Sequence, residues 1–333
     1  MKMLYLDCHS VLAYDEIKLF TEMGHEVFSL GGSYFNTNAP ADPKRPEITG
    51  PVQQHLMDIV CQCSKDNIHP ELIEWADVIY VMHRDDWIIN NWAKMKQKKV
   101  IWRTIGQSVP LMEHRLALCR SEGMKIVRYS PKEESIMGYI GHDAVIRFYK
   151  DESEFCGWVG NEPSVCTIAQ AMKKRGKYCG FDIFNTITEG FPRVVYGPGN
   201  EDTGCDGGQL SYEDLKTAYR KHRVYFYTGT YPASYTLNFI EALMTGIPIV
   251  AIGDSYANLA EYIMNAYEIP SIIQNGVNGY YSDDPDQLKG WIKMLLEDPV
   301  KAKEIGENGR KTAIELFGKQ NIKKLWEVFY ATI

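Results

Sequence analysis

The stretch Tyr231-Pro232-Ala233-Ser234-Tyr235-Thr236-Leu237-Asn238-Phe239-Ile240-Glu241-Ala242-Leu243-Met244-Thr245-Gly246-Ile247-Pro248-Ile249-Val250 reads as a loop, a helix, a glycine stop and a buried strand. A helix is expected over Thr236–Met244, because Ser234–Thr236 are start residues and Gly246 is a stop. The backbone N–H groups of the first turn have no partner inside a helix, and together with the helix dipole they suit a phosphate. Glu241 falls about one and a half turns further on. A carboxylate there can accept hydrogen bonds from ribose hydroxyls if a diphosphate occupies the helix start. The same residues also suit a capped helix with an exposed glutamate, and the residues alone leave both readings open.

Outward from this stretch, short apolar runs alternate with amphipathic ones. Toward the N-terminus, strands are expected at Met3–Asp7, Glu26–Leu30, Asp77–Met82, Lys99–Thr104, Lys125–Tyr129 and Ala144–Phe148. Helices are expected at Asp15–Met23, Pro70–Ala76 and Pro110–Ser121. The second half repeats the plan. Its expected strands are Phe155–Val159, Gly180–Phe184, Arg193–Tyr196, Arg223–Tyr227 and Ile247–Ile252, and its further helices Ser164–Arg175, Tyr212–Lys221 and Asp286–Glu297. Alternation of this kind gives an α/β chain with mostly parallel sheets covered by helices. Asn36–Pro51, with four prolines, and Asn200–Gly208, with three glycines, read as long loops. The 333 residues suffice for two domains, joined near Lys150–Ser153. Ligands of such sheets bind beyond the carboxyl ends of the strands, and two such domains point to a site in the cleft between them.

Hydrophobic residues at 45% and charged residues at 24% are ordinary for a globular protein and exclude disorder or a coiled coil. Lys and Arg number 36 against 43 Asp and Glu, so the net charge of −7 argues against a bulk-basic nucleic-acid binder. The charge is uneven: residues 1–150 carry −1 and the rest −6. No run approaches the roughly 20 apolar residues of a membrane span. Met1–Asp7 reads as a strand and not a signal peptide. The eight cysteines form no disulfide framework, which points to a reducing cytosol. Cys61-Gln62-Cys63, flanked by His55 and His69, is the one tight cysteine pair and lacks the further ligands of a zinc site. Trp87, Trp92, Lys94, Lys96, Lys98 and Lys99 form an aromatic and basic cluster. It reads either as a solvated helix face or as a patch for anionic lipid headgroups or nucleic-acid phosphates, making peripheral membrane contact an expectation.

The ordered motifs of the second half resemble the nucleotide-sugar region of GT-B glycosyltransferases, family 4 in particular. That family has a Glu, a glycine-rich turn, a second Glu eight positions after the first, a small-Gly-x-Pro step and a valine-rich strand. Thr236 and Leu237 match the turn and Glu241 the second Glu, while Ala233 stands in place of the first. Arg193–Gly199 resembles the strand that ends in a Gly-x-Gly turn, Ser211–Leu215 the next helix start, and Asn275–Tyr280 an Asn-Gly-x-x-Gly hairpin. Leu295–Pro299 and Gly306–Gly309 resemble the final helices. The family also places an Arg and a Lys five positions apart after the first strand of this domain. The segment expected there, Cys156–Pro163, holds no basic pair.

The resemblance implies a GT-B fold with two Rossmann-like domains facing a central cleft: 1–150 for the acceptor, 151–319 for the nucleotide sugar, and 320–333 returning as a helix toward the first. It implies a retaining glycosyltransferase that moves a hexose from a nucleoside-diphosphate sugar, UDP- or GDP-linked, to the hydroxyl of a glycan, a lipid-linked sugar or a modified nucleic-acid base. No further cofactor and no metal are expected. Gly197, Gly208, Gln209 and Leu210 would meet the base, Tyr235, Thr236 and Leu237 the diphosphate, and Glu241 the ribose, so that Glu241→Ala should lower nucleotide affinity and leave the fold intact. Arg147, Lys150 and Arg193 are the candidates for the missing cation. In the first domain, His9 and Arg103 are the candidate catalytic or acceptor contacts, and His83-Arg84-Asp85-Asp86 a further loop at a strand end. Asp284-Pro285-Asp286 fits a helix start better than a metal site. Two alternatives remain open: a GT-B sugar-nucleotide epimerase and an inactive binding module.

Overall fold

The structure is a computed structural model that describes residues 1–6, 9–29, 55–56, 59, 62–64, 66–257 and 266–333. The expectations for Asp7, Cys8, Asn36–Pro51 and Cys61 fall outside the described residues. The chain divides into two compact units, Met1–Tyr149 with Ile322–Ile333, and Lys150–Asn321.

The first unit is built on a six-stranded parallel sheet in the order β2-β1-β3-β4-β5-β6. The strands are β1 (Lys2–Leu6), β2 (Glu26–Ser29), β3 (Val78–Met82), β4 (Lys99–Arg103), β5 (Lys125–Arg128) and β6 (Ala144–Val145). Met3–Leu6 and Val78–Met82 are completely buried. A run buried on both faces must be apolar throughout, which is why these strands stand out in the sequence. Helices α1 (Ser10–Glu22), α2 (Pro70–Trp75), α3 (Asp85–Met95) and α4 (Pro110–Ser121) join them. α3 turns Trp87, Ile88, Asn91, Trp92 and Met95 into the core, one stripe at helical spacing.

The second unit has a five-stranded parallel sheet in the order β11-β10-β9-β7-β8. Its strands are β7 (Glu162–Ile168), β8 (Arg193–Tyr196), β9 (His222–Tyr227), β10 (Ile249–Ile252) and β11 (Tyr280–Ser282). Its main helices are α5 (Phe181–Thr188), α6 (Tyr212–Lys221), α7 (Leu237–Thr245), α8 (Pro285–Glu297) and α9 (Pro299–Phe317). Three expectations change here. Phe155–Val159 is not a strand; the turn and coil around it carry Gly157 and Gly160 at positive φ. The expected helix Ser164–Arg175 is entered by β7, a central strand of the sheet. The expected strand Gly180–Phe184 is the start of α5, with Gly180 left-handed at its N-cap. Short apolar runs carry too little periodicity to separate these cases.

α7 packs on α9 where Gly246 caps α7 at φ 91°. A Cβ on Gly306 would stand 2.0 Å from the Gly246 carbonyl oxygen, so only glycine permits this approach. The last helix, α10 (Lys319–Tyr330), begins in the second unit and ends in the first. Its Trp326 is fully buried, edge-on to Phe20 at 5.0 Å.

Candidate functional site: the start of helix α7

β7 connects to β8 on one side, and β9 to β10 on the other, so the order of the second sheet reverses between β7 and β9. Such a reversal opens a crevice at the carboxyl ends of the two strands. The start of α7 is fastened over it. Asn238 Nδ2 donates to the carbonyl of Ile168, the last residue of β7, at 2.5 Å. Thr236 Oγ1 lies 3.1 Å from the hydroxyl of Tyr227, the last residue of β9, and also hydrogen-bonds Asn238 Oδ1.

Thr236 is the N-cap of α7, with extended backbone at φ −123° and ψ 165°, yet its side chain does not cap the helix. The hydroxyl is turned to Tyr227 and Asn238 instead. The first N–H groups of a nine-residue helix are therefore left without a side-chain cap at the crevice, the arrangement that attracts an anion. Tyr235, by contrast, is buried, its ring against Phe239 and Phe317. It packs the helix start from beneath.

Gly197 follows β8 at φ 126°, and a Cβ there would meet the Ala169 carbonyl oxygen at 2.3 Å. Its N–H donates to the Gly208 carbonyl at 2.9 Å, so the loop holding Gly208, exposed Gln209 and half-buried Leu210 is tied to the end of β8. Beside the α7 start lies a shallow depression open to solvent. Its walls include Lys177, Tyr178, Thr230, Tyr231, Ala233 and Tyr267. Ala233 is one of the residues in this wall.

Glu241 sits elsewhere. Its carboxylate is 5% exposed, with Oε1 2.7 Å from Lys150 Nζ, itself 1% exposed. The Tyr219 hydroxyl lies 3.2 Å from Oε2, and burial and this carboxylate hold the Tyr219 hydroxyl well above its ordinary pKa. The expected ribose contact Glu241 is turned inward by the helix, where Lys150 and Tyr219 each meet one of its oxygens. Lys150 is likewise committed to Glu241 and to the Phe155 ring, 5.4 Å away, and is not a spare cation. Arg193 is corrected too. It starts β8, at the end of the strand opposite the crevice, and its guanidinium donates to Asn185 and Thr188. Arg147 is half-buried and belongs to the first unit. With β7 at Glu162–Ile168, the segment after the first strand is Ala169–Lys177 and not Cys156–Pro163. It holds Lys173, Lys174, Arg175 and Lys177, with Arg175 five positions after Gln170.

In the first unit, Arg103 is fully buried. Nε donates to Glu16 at 2.9 Å, Nη1 to the carbonyls of Arg128 and Ile146, and the guanidinium stacks over Phe148 at 4.2 Å. The expectation of a phosphate or acceptor contact is corrected, because this charge serves the interior. Burial raises the Glu16 carboxyl pKa even with Arg103 beside it. His9 is exposed and caps α1, its Nδ1 accepting from the Leu12 N–H at 3.4 Å. The aromatic and basic cluster does not form a surface patch: Trp87 and Trp92 are core residues, and Lys96 and Lys98 pair with Glu122 and Glu74. Asp284 caps α8 as expected, accepting from the Asp286 N–H at 2.9 Å. Among the described residues no helix is long and apolar enough to cross a membrane, and no three His, Cys, Asp or Glu gather to hold a metal.

Residues 206–312, which span α6 through most of α9, match the family model described as glycosyl transferases group 1. Over the whole chain the architecture matches solved structures with 100% coverage of both partners. Sucrose-phosphate synthase from Thermosynechococcus elongatus is 14% identical at a TM-score of 0.68. HepE from Anabaena, solved in complex with UDP-glucose, is 14% identical at 0.69. The fold is GT-B. An alpha-glucosyltransferase solved with UDP-glucose and DNA containing an abasic site is 10% identical at 0.62, each chain covered to 99%. No curated protein matches the chain significantly in sequence.

Within this GT-B chain, reasoning from sequence missed the residues that fasten the site. Asn238, Tyr227 and Ile168 anchor the α7 start, and Lys177 lines the neighbouring hollow. Asn238 gave the one signal available, a polar residue in the first turn of a mostly apolar helix.

Proposed function

We propose that the chain is a retaining glycosyltransferase that moves a hexose from a UDP- or GDP-linked donor to the hydroxyl of a glycan, a lipid-linked sugar or a modified nucleic-acid base. The observation that carries this reading is the uncapped start of α7 at the reversal point of the second sheet, inside the segment that matches glycosyl transferases group 1. HepE, solved with UDP-glucose, is consistent with the donor class.

The leaving group of such a reaction is a nucleoside diphosphate. Its developing charge would be stabilised by the N–H groups of Leu237 and Asn238, with Lys177 from the wall of the adjacent hollow as the cation. The turn at Gly197 and Gly208 would receive the base, with Gln209 and Leu210 beside it. The donor sugar would lie on the Ala233 side of the α7 start. The acceptor hydroxyl would attack on the face the diphosphate leaves, and the departing phosphate would take its proton, so no protein base is required. Neither a metal nor a further cofactor takes part in this scheme, and a cytosolic location, with or without peripheral membrane contact, accords with it.

The decisive variant is Leu237→Pro. Proline suits the first helical position and removes one N–H donor from the proposed phosphate cradle. UDP-glucose and GDP-glucose are titrated calorimetrically against both proteins. About a tenfold loss of affinity for whichever donor binds, with Tm little changed, is expected. Equal affinity in wild type and variant would remove the diphosphate from the helix start. Ala233 in place of a glutamate favours one second reading, a binding module without turnover. That reading holds if nucleotide sugar binds but no nucleoside diphosphate is released with any acceptor.

A further inference from the structure

The end of β7 is held from both sides by asparagine amides. On one side Asn238, in the first turn of α7, donates to the Ile168 carbonyl at 2.5 Å. On the other Asn200, in the loop after β8, donates from Nδ2 to the carbonyl of the next residue, Ala169, at 2.7 Å. The same nitrogen donates to the Gly197 carbonyl at 2.8 Å, and Oδ1 accepts from the Met172 N–H at 2.8 Å. Asn200 is fully buried. A buried amide is costly unless its groups are paired, and this one is paired with the backbone of two loops that flank the crevice.

The clasp closes over a strained turn. The two loops run together beyond the sheet, the Ala169 N–H donating to the Tyr196 carbonyl at 2.9 Å and the Ala171 N–H to the Pro198 carbonyl at 2.8 Å. Ala171 has φ 46° and ψ 48°, left-handed backbone that a residue with a Cβ seldom adopts. Its own N–H is fixed by Pro198 and the next one, that of Met172, by Asn200, so the surroundings impose the conformation. Imposed strain of this kind collects at ligand sites. Directly after the turn come Lys173, Lys174, Arg175 and Lys177. Lys173 Nζ donates to the Asp202 carbonyl at 2.8 Å, which docks this cationic segment on the loop that carries Asn200. Lys177, at its end, reaches the wall of the depression beside the α7 start.

Asn200 has no exposed atom to offer a ligand. What it governs is the direction in which the chain leaves β7. That direction sets where the cations stand relative to the first N–H groups of α7, which Asn238 ties to the same strand end. We propose that Asn200 is a positioning residue for the donor diphosphate, acting through Lys177 and not by contact. The role rests on the proposed transferase reading, in which Lys177 and the α7 start receive the diphosphate. Charge-assisted bonds to phosphate depend on placement, and a displacement of about 1 Å forfeits much of their effect.

The test is a double-mutant cycle on the full chain. Wild type, Asn200→Ala, Lys177→Ala and the double variant are titrated calorimetrically with UDP and with GDP, each below its measured Tm. Both single variants should bind whichever nucleotide the wild type binds about tenfold more weakly. The double variant should be within about threefold of either single one, because a lysine no longer aimed at the phosphate has little left to lose. Losses that multiply to about a hundredfold would make Asn200 a fold-stabilising residue only, and unchanged affinity in either single variant would break the link between them; each result overturns the proposal. If Asn200→Ala does not fold, amide exchange of the wild type, read by NMR, decides instead. Saturating nucleotide should slow exchange at the Ala171 and Met172 amides by about tenfold, and unchanged exchange with nucleotide bound would overturn the proposal. If neither UDP nor GDP binds the wild type, the transferase reading falls and this role with it. If one binds and the cycle is additive, this role alone falls.

Discussion

Removing the Glu241 carboxylate should unfold the second unit more readily, before any question of nucleotide binding arises. The perturbation is Glu241→Ala. At 2.7 Å from Lys150, the gross attraction is about 6 kcal/mol at an effective dielectric of 20, opposed by the cost of drying both ions. That net balance is small, but truncation does not return it. It leaves the Lys150 ammonium, 1% exposed, buried without its counterion, a loss of about 3–5 kcal/mol. Tyr219 adds little, because its hydroxyl also lies 3.3 Å from the Asn238 carbonyl. The second unit spans Lys150–Asn321, and for a domain of that size the loss corresponds to a fall in Tm of about 6–20 °C. Calorimetric unfolding of wild type, Glu241→Ala, Lys150→Met and the double variant Lys150→Met/Glu241→Leu completes the experiment. Each single variant should be destabilised, and the double should recover most of the loss, since an apolar pair replaces a buried ion pair at little cost. A Tm for Glu241→Ala within 1 °C of wild type would refute the reasoning. If nucleotide affinity were lost in the same protein, Glu241 would return to the ribose role.

Other outcomes follow from the same structure. His222 is buried, its ring between Ser164 at 2.7 Å and Tyr196 at 2.9 Å, and burial with Lys221 nearby lowers its pKa to about 4. The unfolded chain protonates this histidine near 6.5 while the folded one does not. The stability it contributes is therefore complete above pH 6.5 and is lost as pH falls toward 4, by about 3 kcal/mol. Urea unfolding of wild type and His222→Gln across that range should show the acid slope flattened in the variant. Gly306→Ala should cost about 1–3 kcal/mol through the clash with Gly246, measured by the same method; an unchanged midpoint would mean that α7 and α9 separate freely. Trp326→Ala should cost the first unit about 3–5 kcal/mol, read as a lowered Tm, because residues 322–333 complete its core around Phe20 and Tyr80.

The sequence alone determined much of this protein. Apolar runs in β1, β3, β9 and β10 are visible because strands buried on both faces admit little else, and α7 with its Gly246 stop is visible because caps and breakers act locally. Those local signals sufficed for the α/β class, the parallel sheets and the GT-B resemblance. β7 escaped because it opens on Glu162, Pro163 and Ser164, so only Val165–Ile168 reads as a strand-like run, and that run leads toward the helix-forming Met172–Arg175 segment. Tertiary structure alone decided what the charged groups do. Arg103 and Glu16 are 87 positions apart, Lys150 and Glu241 are 91 apart, and nothing in either neighbourhood announces the partner. Folding places each of these charges out of water, and a buried charge takes whatever counterion the packing brings to it. For the same reason only the structure separates Glu241, turned inward onto Lys150, from Thr236, five positions earlier at the mouth of the crevice. Helical rotation assigns the two residues to different surroundings, and the sheet beneath decides which of those is open.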